Sequence, residues 1–276
     1  MRGADVYQAR VRRLVPWIAL ASLGCLDGHQ PKARFTHRWM EAGGVRAIVA
    51  GGTDGRGGGE GPVLVYLHGF ASLPEDQLPL RDGLDVPAGT RFVFPEGGLG
   101  VTLAEGPRRA WWLIDRPLRR RMRAGAIDAL SHHRPPGLAA ARVTTTRLLR
   151  AVERELGAPP ERTVVAGFSQ GAMLACDLAL RSERPYAGLG VLSGTLLAES
   201  DWGPRMPRHP HMPVFVSHGR ADPLLPYAMA ERLAARLRAG GHPVRWYAHD
   251  AGHEMTEGTA DAFSAFVYES LLAPSR

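Results

Sequence analysis

The sequence predicts an α/β fold with a mostly parallel central sheet and helices on both faces. Three observations carry this. Runs that are apolar at every position, such as Val63-Leu64-Val65-Tyr66-Leu67, suit strands covered on both sides. Segments with apolar residues at helical spacing lie between these runs. Strand and helix alternate along most of the 276 residues, which implies βαβ units in one large domain.

Composition narrows the field. Hydrophobic residues make up 45% and charged residues 22%, the balance of a globular chain and not of a disordered or collagen-like one. Two cysteines, Cys25 and Cys176, exclude a disulfide scaffold and a Cys-rich zinc module. The net charge is +7, but the 34 basic residues, all arginine except Lys32, are spread along the chain. A nucleic-acid binder gathers such charge on one element, so nucleic acid is not an expected partner.

The elements follow in order. Residues 1–25 read as an export signal: Arg2, Arg10, Arg12 and Arg13 precede an apolar run from Leu14 to Cys25. That run is too short for an ordinary membrane span. Ala19-Leu20-Ala21 fits a cleavage site, and Gly24-Cys25 resembles a lipoprotein signal whose cysteine is acylated. The expected location is therefore exported, periplasmic or membrane-anchored through Cys25. The competing reading is an amphipathic helix packed on the domain of a cytoplasmic protein. Residues 26–44 read as a polar spacer, and 45–276 as the catalytic domain.

Val45–Ala50 is the first expected strand. Gly51–Gly61 holds seven glycines and lacks a Gly-Lys-Ser/Thr ending, so it reads as a flexible hairpin turn and not as a phosphate loop. Strands are expected at Pro62–Leu67, Arg91–Phe94, Arg162–Ala166, Ala187–Leu192, Pro213–Val216 and Val244–Tyr247. Helices are expected at Leu138–Leu156, at Gln170–Arg181, through Met229, Leu233 and Leu237, and through Phe263, Phe266, Val267 and Leu271. Cys176, among apolar neighbours on the second helix, is expected in the core.

Gly167-Phe168-Ser169-Gln170-Gly171 is the strongest chemical signal. A buried strand precedes this G-x-S-x-G and a helix follows it, so the serine would sit on a strained turn with its oxygen projecting from the sheet. A serine is a weak nucleophile near neutral pH and needs a base, which needs an orienting group. Asp222 follows the strand at 213–216, and His253 follows the strand at 244–247, giving the chain order serine, acid, histidine. The rival acid is Asp250. His218 is expected to order the Asp222 loop. His132, His133, His209 and His211 show no metal-ligand spacing, so no metal is expected. Leu67-His68-Gly69-Phe70 ends an early strand, where the backbone N–H of Phe70, with that of Gln170, would form an oxyanion hole.

Taken together, six segments resemble the phospholipase/carboxylesterase family of α/β-hydrolases, which includes acyl-protein thioesterases. They are Leu67–Phe70, Phe94-Pro95-Glu96, Arg109–Asp115, Gly167–Gly171, His218–Pro226 and Gly252-His253-Glu254. The resemblance runs from about Pro62 to the C-terminus. It implies cofactor-free hydrolysis of esters or thioesters of medium or long acyl groups, so the partner is a small-molecule or lipid-like ester. It carries the triad onto Ser169, Asp222 and His253, and puts Leu73 and Trp111 near the acyl pocket. Seven arginines between Arg108 and Arg123 read as a solvated helix face or a surface for anionic lipid. Two rivals stay open: a polyester depolymerase or feruloyl-type esterase of the same fold, and an exported non-catalytic binding protein. Loss of a triad residue would favour the latter, and none is lost.

Overall fold

The computed structural model describes residues 36–114, 120 and 131–272. The expected export signal, Cys25, the first part of the spacer, and most of the arginine run lie outside these residues. Eleven strands are described: β1 His37–Ala42, β2 Val45–Gly52, β3 Arg56–Gly58, β4 Val63–Leu67, β5 Arg91–Pro95, β6 Leu99–Leu103, β7 Gly106–Ala110, β8 Thr163–Phe168, β9 Gly188–Leu192, β10 Val214–Gly219 and β11 Val244–His249. Four long helices accompany them: α1 Leu138–Leu156, α2 Gln170–Arg181, α3 Tyr227–Ala239 and α4 Glu257–Leu272.

The main sheet runs β1-β2-β5-β4-β8-β9-β10-β11, with β3 beside β2. From β5 to β11 every pairing is parallel, and β2 is antiparallel to both its long neighbours. Alternation along each strand sorts the core into two layers. Val63, Val65 and Leu67 face α1, α2 and α3, whereas Leu64 and Tyr66 face Phe263, Phe266 and Val267 of α4. A helix layer on each side is why β4 is buried and apolar along its whole length. Helices α1 and α2 take the expected bounds, because Leu138, Ala141, Thr145, Leu148, Val152 and Leu156 fall on one helical stripe. Cys176 is fully buried in α2, where burial pushes its thiol up.

Two expectations are corrected at the N-terminal side. The expected spacer ends too late: His37–Ala42 is an edge strand, paired with β2 from His37↔Ala50 to Ala42↔Val45. Gly43 and Gly44, at φ 63° and 79°, make the two-residue turn that joins them. The glycine segment 51–61 is not a hairpin either, because β5 lies between β2 and β4. It folds on itself instead, with Asp54 Oδ1 accepting the N–H groups of Arg56 and Gly58 at 2.7 and 2.8 Å.

Arg91 closes this end of the sheet. Its side chain is buried and forms no ion pair with a carboxylate among the described residues. It donates to the carbonyls of Gly59 and Gly61 and, at 2.5 Å, to that of Leu156, the last residue of α1. A cation there satisfies orphan carbonyls at the negative end of the helix.

Candidate active site

The C-terminal ends of the parallel strands gather the expected residues. Between β8 and α2, Ser169 takes φ 54° and ψ −115°, a backbone conformation strained for any side chain. The strain is held by close approach. A Cβ on Gly171 would lie 2.1 Å from the carbonyl oxygen of Leu67, and one on Gly167 would lie 2.5 Å from Gly171. Both glycines of the motif are therefore required for α2 to start this near β4. The Ser169 N–H is fixed on the Leu192 carbonyl at 2.8 Å.

Ser169 Oγ lies 2.8 Å from His253 Nε2, and His253 Nδ1 lies 2.7 Å from Asp222 Oδ2. A carboxylate only accepts, so Nδ1 carries the hydrogen and Nε2 presents its lone pair to the serine. The Asp222 side chain has no solvent exposure. Its Oδ1 accepts the N–H groups of Leu224 and Leu225 at 2.8 and 2.9 Å. Its Oδ2 is shared by His253 and, at 3.1 Å, by His218 Nε2. Burial pushes this carboxyl up, but the bonds from His218 and His253 outweigh it and hold the group below the usual carboxylate range. Phe168 packs against the His253 ring, centroids 5.0 Å apart. The rival acid Asp250 stands apart, its side chain 95% exposed and paired with Arg220 at 3.3 Å.

The other wall is a chain of buried hydrogen bonds. Gly97 N–H donates to His68 Nε2 at 2.9 Å, so His68 Nδ1 carries the hydrogen and donates to the Gly69 carbonyl at 2.7 Å. Burial pushes this neutral imidazole down to about 4. Trp111 stacks on it at 4.9 Å and donates from Nε1 to the His68 carbonyl at 2.8 Å. The Gln170 side chain closes the circuit: Oε1 accepts from Trp111 N–H and Nε2 donates to the Trp112 carbonyl, both at 2.9 Å. The segments that carry the Phe70 and Gln170 N–H groups are thus tied through Trp111. As the first residue of α2, Gln170 has no intrahelical acceptor for its N–H. Ala71, at φ 60°, turns the chain directly after Phe70.

Trp111 is largely buried. It is 5% exposed and belongs to the core, where its hydrogen bonds to Gln170 and the His68 carbonyl brace this wall. The exposed apolar residues beside it are Leu113 and Ile114. Leu73 is half-buried at the start of the short turn Pro74–Gln77, its N–H fixed on Asp76 Oδ2 at 2.8 Å. Glu96, from the expected family segment, pairs with Arg109 on β7. The hairpin β6–β7, which delivers Arg109 and leads into Trp111, had no strand signature, since its ten residues lack a buried apolar run. Sequence reasoning also passed over Phe168 and the Gln170 side chain, although both lie within the serine motif. No cluster of three metal-ligating side chains occurs among the described residues.

Comparison with known proteins follows the geometry. The pattern of the family described as phospholipase/carboxylesterase matches residues 57–270. Acyl-protein thioesterase 1 of Neurospora crassa is 27% identical over 214 residues, spanning 74% of this chain and 82% of its own. The putative hydrolase MhqD of Bacillus subtilis is 28% identical over 221 residues, spanning 76% and 94%. Among solved structures, esterase PE8 aligns with a TM-score of 0.66 at 24% identity, over 81% of this chain and 97% of that one. The Bacillus cereus carboxylesterase aligns with a TM-score of 0.60 at 19% identity, over 82% and 94%. At these identities the two structures speak to the fold alone.

Proposed function

Because this chain belongs to the phospholipase/carboxylesterase family of α/β-hydrolases, we propose that it cleaves carboxylic esters or thioesters through a serine nucleophile. The observation that carries this reading is the unbroken chain Ser169 Oγ, His253, Asp222, at 2.8 and 2.7 Å. Ser169 Oγ attacks the acyl carbonyl while His253 Nε2 takes its proton. Asp222 holds the imidazole tautomer and stabilises the imidazolium that forms. The oxyanion accepts the N–H groups of Gln170 and Phe70, whose segments are tied together through Trp111. The imidazolium returns the proton to the leaving alcohol or thiol, and water repeats the sequence on the acyl-enzyme. No step calls for a cofactor.

The substrate in this reading is a small or lipid-like ester whose acyl part lies by Leu73, Leu113 and Ile114. Residues 1–25 would export the enzyme and Cys25 would tether it to a membrane. Fractionation of cells making the chain with Cys25 or with Cys25→Ser tests that part: release of the variant alone supports the tether, and cytoplasmic protein with Met1 intact overturns export.

A fluorophosphonate probe and p-nitrophenyl esters of increasing chain length test the chemistry. The wild-type chain should label at Ser169 and turn over esters. Ser169→Ala should not label and should lose on the order of 10⁶ in kcat. A folded Ser169→Ala protein with wild-type turnover overturns the mechanism.

A further inference from the structure

Asp222 Oδ2 has a second imidazole donor that the catalytic sequence does not use. His218 stands one residue from the end of β10 and four before Asp222, and its side chain is fully buried. Its Nε2 lies 3.1 Å from Asp222 Oδ2 and 3.0 Å from the Leu225 carbonyl oxygen. Both are acceptors, so Nε2 carries the hydrogen and divides it between them. Its Nδ1 is buried without a hydrogen-bond partner. Leaving a buried acceptor unsatisfied is destabilising, and an apolar residue of similar size would avoid it. A role confined to packing does not account for an imidazole here.

We propose that His218 is a positioning residue, whose Nε2–H fixes Asp222 Oδ2 and draws off part of the carboxylate's pull on His253. This rests on the triad reading above. Oδ2 has two donors in competition, while the backbone N–H groups of Leu224 and Leu225 occupy Oδ1. Without His218, the undivided charge would hold a protonated His253 more tightly. The base would then stay blocked to higher pH.

The surroundings do not supply a substitute. The Tyr227 ring faces His218 edge-on at 6.2 Å. His249, at the end of the neighbouring β11, is buried with neither ring nitrogen hydrogen-bonded. Glu254 and Asp250 act on His249 through space, and Asp250 is paired with Arg220 at the surface. None of these donates to Asp222 Oδ2.

The test is the pH profile of kcat/KM for a p-nitrophenyl ester in three variants. His218→Ala should move the acid limb up by about half a pH unit or more and lower plateau kcat roughly tenfold, with KM little changed. His218→Gln reaches as far as Nε2 and keeps an N–H, so it should restore the wild-type limb. His218→Asn has the same amide one bond shorter and should behave like alanine, which keeps the comparison decisive should His218→Ala fail to fold. His218→Ala and His218→Asn proteins that label with fluorophosphonate yet share the wild-type acid limb overturn the proposal and leave the triad standing. Failure of the wild-type chain to label at Ser169 overturns the triad reading itself.

Discussion

Asp222 and Asp177 both bury their carboxylates completely, one beyond the end of β10 and the other two turns into α2. Their partners differ in kind. Asp177 meets two permanent cations, Arg142 at 2.9 Å and Arg181 at 3.0 Å, and the indole N–H of Trp202 at 2.8 Å. Its charge is compensated at all times, and it ties α2 to α1 and to the Trp202 segment. Asp222 meets two backbone N–H groups and two imidazoles instead. Its balancing cation comes into being only when His253 takes a proton. On the proposed mechanism, depth alone does not mark a functional acid; a partner able to gain and lose charge does.

The sharpest way to break this contrast is to neutralise each acid in turn. Asp222→Asn should lower kcat by about 10⁴ through the wrong imidazole tautomer. Asp177→Asn should leave kcat within about twofold but cost about 3 kcal/mol of stability, since Arg142 and Arg181 lose a buried carboxylate. Turnover assays with chemical denaturation on both variants decide it. Loss of activity without loss of stability in Asp177→Asn would overturn the assignment. Asp250→Asn, on a side chain that is 95% exposed, should be silent.

A smaller effect separates bracing from substrate contact on the oxyanion side. Trp111→Phe keeps the aromatic face but removes the N–H that satisfies the His68 carbonyl. It should lower kcat by about 10- to 100-fold, the value of one buried hydrogen bond. Preference among acyl chain lengths should not change. A changed length preference at unchanged kcat would return Trp111 to the acyl pocket.

The smallest effect is on stability against pH. The folded His68 imidazole is held down to about 4, mainly by burial, whereas an unfolded histidine titrates near ~6.5. The unfolded chain therefore binds a proton that the fold refuses. The His68 contribution is complete above pH ~6.5 and is lost as pH falls toward about 4. Denaturation of the wild-type chain and His68→Gln at pH 7 and pH 4.5 should show the larger acid loss in wild type. Equal losses would mean that other groups dominate this window.

Much of the site was legible because it obeys local rules. A buried strand, the glycine spacing of 167–171 and a helix onset identify Ser169 without reference to distant residues. Asp222 and His253 each follow a strand, the first apolar from Val214 to Val216 and the second carrying Arg245 among apolar residues. Strand β1 was missed because His37–Ala42 is half polar at a sheet edge, although Gly43-Gly44 before Val45 was a usable turn signal. The β6–β7 hairpin had no such signal. Asp177 and Trp111 were beyond reach for another reason. Asp177 depends on residues at 142 and 202, and Trp111 on residues at 68 and 170. An isolated Asp in a helix, or Trp in an apolar run, does not reveal which atom is spent on what.

The left-handed turn at Ser169 has a bearing on thermal robustness. A side chain at φ 54° is strained there, and glycine is not. Ser169→Gly should therefore melt higher than the wild-type chain, by the equivalent of about 1 kcal/mol, while hydrolysing nothing. In the proposed mechanism the tension lies in the residue that supplies the reactive oxygen, so selection for heat tolerance and selection for turnover pull this one position in opposite directions. A more heat-tolerant version of the enzyme must find its gain elsewhere, in places such as the edge hairpin or the glycine segment, where no chemistry is at stake.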